Sequence, residues 1–210
     1  MKATSDSVKP EPASSRKVSP GAFFVDLALY LSVMFLIREV SFESLGFLAN
    51  GLCWSFTTLI LAAWRMRARG VTWAEIGLYK PSDVKKLIRA TVFTLGMAIG
   101  GIILFEILKD QFAWSLSPDT SSESAVSKFG DLKNNWLLFF SIIPVIWLES
   151  FLEEVLDRGF LINWIERIFS STHFATVLAV ILQAAIFGFR HSNDLSERSI
   201  TVGLIGLAMG

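Results

Sequence analysis

Only one cysteine, Cys53, occurs in the 210 residues. It lies inside an apolar run, so the chain can form no internal disulfide and has no cysteine–histidine zinc spacing. A free cysteine in such a place is ordinarily a buried packing residue. The 19 basic and 19 acidic side chains cancel, which removes any electrostatic argument for nucleic acid as a partner. The sequence holds no internal repeat, no HExxH signature and no recognisable signal-peptide cleavage site, so the first apolar run reads as a retained anchor.

What the chain has in excess is apolar sequence. It is 52% hydrophobic, with a mean hydropathy of +0.52. Soluble domains reach about 45–50% apolar residues on a count that includes glycine. The excess is gathered into blocks at about 21–37, 46–64, 88–108, 136–152 and 174–189, and a last block runs from Ser199 to Gly210. About 20 apolar residues span a bilayer, with a range of about 17–25. The expected fold is all-α, a polytopic transmembrane helix bundle with about five complete spans and a truncated sixth. Residues 1–19, rich in Lys, Ser and Pro, are expected to form a disordered cytoplasmic tail. Residues 20–69 are expected to form N-terminal transmembrane helices, and 70–210 the core.

Orientation follows from basic residues. Lys2, Lys9, Arg16 and Lys17 precede the first block, and Arg65, Arg67, Arg69, Lys80, Lys85, Lys86 and Arg89 separate the second from the third. The positive-inside rule places the N-terminus and the 65–89 loop in the cytoplasm. Simple alternation then puts the Glu153 end of block four and the His191 end of block five on opposite sides, an inconvenience for a shared site. Asp26 and Glu106 lie near block ends and read as reaching the interface. Trp54, Trp64, Trp73, Trp114, Trp136 and Trp147 read as an aromatic belt. Thr72 to Leu78 reads as a short amphipathic surface segment, and the Gly96–Gly100 spacing as a helix-packing pattern.

The chemistry is concentrated at the end of block four. Residues four apart on a helix share a face, so Glu154 pairs with Arg158, and Glu149, Glu153 and Asp157 form a row of carboxylates. Three such groups at low dielectric cannot all ionise cheaply, so a cation or Arg158 is expected to neutralise one of them. A carboxylate held near water inside a membrane suits general-base work. Block five delivers an imidazole through Phe187-Gly188-Phe189-Arg190-His191. His173 follows Ser170-Ser171-Thr172 and belongs to a surface turn. The charges at 153–158 also fit ordinary flanking ion pairs in the headgroup zone. The carboxylate row, with Asp26 and Glu106 elsewhere, equally fits a proton or cation pathway.

Glu153-Glu154-Val155-Leu156-Asp157-Arg158 resembles the EExxxR motif of the CPBP family of intramembrane proteases, and Phe187 to His191 resembles its FxxxH motif. This family includes the type II CAAX prenyl proteases and bacterial proteins linked to bacteriocin self-immunity. Glu75-Ile76-Gly77-Leu78 before a basic loop adds to the resemblance, which covers about residues 70–210. It implies a helical membrane fold with a water-filled conical cavity open to the cytoplasmic side, where the catalytic groups meet despite the alternation. It implies a bacterial cytoplasmic membrane and a membrane-associated protein or peptide substrate. Glu153 would activate water, His191 would hold that water, Glu154 would pair with Arg158 or share the base role, and Phe187 would line the cavity beside the scissile bond. No cofactor is evident. A divalent metal such as zinc is the contested addition, with Glu153, Glu154 and His191 as candidate ligands, and metal-free hydrolysis is the first choice. Asp157 departs from the family pattern, which is usually aromatic or apolar there. The family's third motif, HxxxN, whose His and Asn would stabilise an oxyanion, has no counterpart before Gly210, and the sequence stops in an apolar stretch where the approach to that motif is expected. A non-catalytic scaffold or immunity protein remains the other reading.

Overall fold

The structure is a computed structural model describing residues 18–42, 45–112, 129–170, 172–192 and 196–210. The expected tail over 1–17 and Trp114 lie outside the described residues. Seven α-helices make up the described chain: α1 (Pro20–Leu36), α2 (Gly46–Arg69), α3 (Val84–Phe112), α4 (Trp136–Glu154), α5 (Ile162–Ile168), α6 (Ala175–Ser192) and α7 (Glu197–Met209). A 3₁₀ turn, Ile37–Glu39, extends α1, and a π-helical segment, Val155–Leu161, joins α4 to α5. Among the described residues there is no strand. This is the helical membrane bundle expected from the hydropathy.

Among the described residues, four helical stretches are long and apolar enough to cross a membrane: Pro20–Glu39, Gly46–Arg69, Val84–Gln111 and Trp136–Ile168. The helix Ala175–His191 is apolar but shorter. The fourth stretch corrects the sequence reading. Block four does not end beside Glu153 but continues, through the π segment, to Ile168 as a rod of 33 residues. Asn135 caps its start by accepting a hydrogen bond from the Leu138 amide at 3.1 Å. Pro144 lies inside it, where the missing N–H and the ring favour a bend.

The core forms where α1, α2, the π segment, α5 and α6 meet. Tyr30, Met34, Ala62, Met66, Leu156, Phe160, Leu161, Trp164 and Ala179 are buried there. Trp164 stacks on Phe160 with ring centroids 4.1 Å apart and meets Phe23 edge-on at 5.5 Å. Small residues set the α6–α7 crossing: a Cβ on Gly188 would collide with the Ser199 carbonyl, and Gly203 lies against the Ala184 carbonyl. Helix α3 differs. Its chief packing partner is α7, and Val92, Phe93, Leu95, Met97, Ile99, Ile103 and Leu104 are exposed, as suits a helix facing lipid. Positions 96 and 100 have open space where a Cβ would stand.

Charged groups near helix ends are paired rather than left to the headgroups. Asp26, expected simply to reach the interface, is wholly buried. Arg65 and Arg69, four apart on α2, both bind it; the Arg69 Nε–Oδ2 distance is 2.6 Å. Glu106 is half exposed and pairs with Lys109 at 2.7 Å. Helix α2 ends at Gly70, whose φ of +69° supplies the left-handed residue. The Val71 amide then closes on the Met66 carbonyl at 2.9 Å, a Schellman ending. The following segment, 71–79, is a series of turns. Val71 and Ile76 are buried in the core, and Trp73, Leu78 and Tyr79 face outward. Glu75 holds this turn by accepting from the Thr72 amide at 2.6 Å.

Candidate active site

The site forms where the long rod Trp136–Ile168 crosses α6. Glu153 stands 15 residues before Ile168, and His191 stands 16 residues after Ala175. At 1.5 Å per residue these are runs of roughly 22 Å and 24 Å from the short 169–174 connection. Two helices leaving one connection side by side therefore present Glu153 and His191 at matching depth. The alternation problem arose from ending block four too early.

His191 Nε2 lies 3.9 Å from Glu153 Oε1, beyond hydrogen-bond reach but close enough for one water to bridge. The other ring nitrogen, Nδ1, is 2.8 Å from the Phe187 carbonyl, so Nδ1–H donates there and Nε2 faces the glutamate. The Phe187 ring meets the His191 ring edge-on at 4.5 Å. The guanidinium groups of Arg158 and Arg190 each lie 5.4 Å from the Phe187 ring centre, within cation–π range. Phe187 is buried between them.

Glu154 and Arg158 pair as the spacing implies, at 2.6 Å, but Glu154 is 47% exposed and turned away from Glu153's partners. The carboxylate row is divided. Glu149 and Glu153 line a cleft with Arg38, Gly51, Trp54, Ser55, Thr58 and Arg190, whereas Asp157 is wholly buried behind it. The cavity in that cleft is about 30 Å³, above the roughly 10–15 Å³ one water needs. Gly51 permits the close approach of α2, because a Cβ there would strike the Glu149 carboxylate.

Sequence reasoning overlooked Arg190 and Arg38. Arg190 is buried, and its Nη2 lies 2.8 Å from Glu153 Oε1 and 3.0 Å from Asp157 Oδ2. Next to a helix end it reads as a flanking charge; only the carboxylates on the facing helix assign it a partner. Arg38 donates to the Arg190 carbonyl and lies over Trp54 at 5.7 Å. It thereby satisfies a carbonyl in the last turn of α6, which the helix itself leaves open.

Among the described residues no three His, Cys, Asp or Glu groups converge. Glu154 faces Arg158, and Arg190 sits on Glu153. A two-donor set carrying a guanidinium does not fit zinc, which takes at least three protein ligands in its usual sites.

Fold and site together define an integral membrane helix bundle with an acid–imidazole pair formed by the middle of the rod and the last turn of α6. Residues 134–210 match a family model described as type II CAAX prenyl endopeptidase Rce1-like. The match falls on the segment that carries both motifs. No curated protein and no solved structure matches the chain.

Proposed function

We propose that this protein is an intramembrane endopeptidase that hydrolyses a peptide bond in a membrane-associated protein, with Glu153 as general base. The supporting observation is the meeting of Glu153 and His191, from two helices, 3.9 Å apart beside a cleft large enough for a water molecule. In this reading a water sits between Glu153 and His191 Nε2. Glu153 takes its proton as the oxygen attacks the scissile carbonyl, and His191 orients the water. A positioned base of this kind contributes about 10²–10⁴-fold. Glu154 and Arg158 brace the rod beside the site. The basic residues of the 65–89 loop support a cytoplasmic N-terminus.

The test uses membranes carrying the complete protein and a membrane-tethered reporter peptide. Glu153→Ala should lower cleavage by at least about 100-fold, and His191→Ala should follow it. Cleavage by Glu153→Ala at the parent's rate rules out Glu153 as base. An interaction with another membrane protein that survives both substitutions would favour the scaffold or immunity reading.

A further inference from the structure

Among the described residues, the Glu153 carboxylate meets its cationic partners through Oε1: the Arg190 guanidinium at 2.8 Å and His191 Nε2 at 3.9 Å. Arg190 is itself held from behind by Asp157 at 3.0 Å. Asp157 lies in the π-helical segment Val155–Leu161. Such segments are rare and concentrate at functional sites, because they turn side chains off the ordinary helical row. Here the segment carries Asp157 away from the cleft that Glu149 and Glu153 line, into the interior. The Tyr30 hydroxyl is likewise buried and has no hydrogen-bond partner. Among the described residues, Arg190 is thus the side chain that pairs with both the cleft carboxylate and the buried one.

We propose that Arg190 is a positioning residue for Glu153, with Asp157 as its anchor, so that the cation beside the glutamate is supplied by the chain and not by a divalent metal. With Arg190 holding Oε1, the carboxylate is fixed in place and its remaining lone pairs are left for the water that bridges to His191 Nε2. His191 Nε2 is also kept free of a direct bond to Glu153 and available to that water. Other charged groups near Glu153 are Glu149, Glu154 and Arg158 on its own rod, Arg38 beyond α1, and His191 on α6. Tyr30 on α1 lies behind Asp157. Among the cationic side chains of the described residues, Arg190 and His191 reach Glu153 within 4 Å. The inference rests on the reading of Glu153 as the base, but its test does not require cleavage.

The chain has two histidines, and His173 is exposed in a surface turn. A His173→Gln background therefore leaves one imidazole to observe by ¹⁵N nuclear magnetic resonance in detergent micelles. In the parent, His191 should show Nδ1–H bonded to a carbonyl and Nε2 without a direct hydrogen bond to carboxylate. In Arg190→Gln, Glu153 loses its cation and should turn to His191, and a hydrogen-bonded Nε2–H signal should appear. Arg190→Lys should restore the parent spectrum in part. Because Arg190→Gln leaves Asp157 buried without a cation, the Asp157→Asn/Arg190→Gln pair serves as the folded control and should give the same new signal. Zinc chloride at one equivalent should leave the parent's His191 signals in place. An unchanged His191 spectrum in both Arg190→Gln variants overturns the positioning role, and a zinc-dependent shift lost in Glu153→Gln overturns the claim about the cation. With a cleaved reporter peptide in hand, Arg190→Gln should lower kcat on the order of 100-fold with KM little changed. A spectrum that responds as expected in a protein that cleaves nothing upholds the positioning role and refutes the protease reading instead.

Discussion

Replacing Arg190 by Leu should be costly because of Asp157, not because of Glu153. Asp157 has no exposed surface, while the Glu153 side chain is 29% exposed. Once the guanidinium is gone, water can reach Glu153 but not Asp157. Opposite charges 3.0 Å apart attract by about 5–6 kcal/mol at an effective dielectric of 20. Desolvation offsets much of that while both partners are present, but removing one leaves the whole penalty on the other. Arg190→Leu should therefore destabilise by about 3–5 kcal/mol. Asp157→Leu should cost less, because Arg190 keeps Glu153 at 2.8 Å. The double variant Asp157→Leu/Arg190→Leu removes the buried charge altogether and should return close to the parent or exceed it by ~1–4 kcal/mol. The assay is denaturant-titrated unfolding in mixed micelles. Fluorescence of Trp164, in a background with the other six tryptophans replaced by phenylalanine, provides the reporter, since it is buried against Phe160 in the same core. Arg190→Leu and the double variant falling equally far would refute the reasoning. The cost would then come from lost packing against Phe187 and not from an orphaned carboxylate.

In the Asp26 clamp, Asp26→Ala leaves two arginines that can extend to the interface, and Arg65→Ala/Arg69→Ala removes the two side chains that cover the aspartate and lets water reach it. Unfolding titrations should give about 1–2 kcal/mol in each case, below the ~3–5 kcal/mol of a charge left buried without a partner. A Cβ on Gly159 would stand 3.2 Å from both Cδ1 and the carbonyl oxygen of Ile76. Gly159→Ala should cost about 1–3 kcal/mol, and Ile76→Ala should recover only part of it in the same titration, because the carbonyl stays. Glu75 lies outside the spans, and its hydrogen bonds from the Thr72 amide and then the Thr72 hydroxyl hold its carboxyl below the ordinary glutamate range. Since the folded value is the lower one, the contact is intact above the unfolded value and is lost as pH falls through the folded one. The Thr72 amide resonance should titrate there, and Glu75→Gln should abolish the titration.

Much of the bundle was legible because a lipid-spanning helix announces itself by length and apolarity, and α2 and α3 follow their blocks closely. The Glu154–Arg158 pair was legible because it depends only on spacing along one element. What failed was the rule that a charge cluster marks a helix end. Val155, Leu156, Phe160, Leu161, Trp164 and Ile165 continue the apolar pattern past Asp157 and Arg158. The helix continues with them because each of the two charges finds an internal partner, Arg190 for Asp157 and Glu154 for Arg158. A partner on another helix leaves no periodic trace in the sequence, and here it lies 33 positions away. Asp157 and Arg190 are best understood together. Asp157 alone would be an unpaired charge between packed helices, while the pair ties α6 to the rod. The tie stands one residue from His191 and four from Glu153, so an unusual residue that reads as a blemish in the motif lies, on the folded chain, beside the groups the motifs supply.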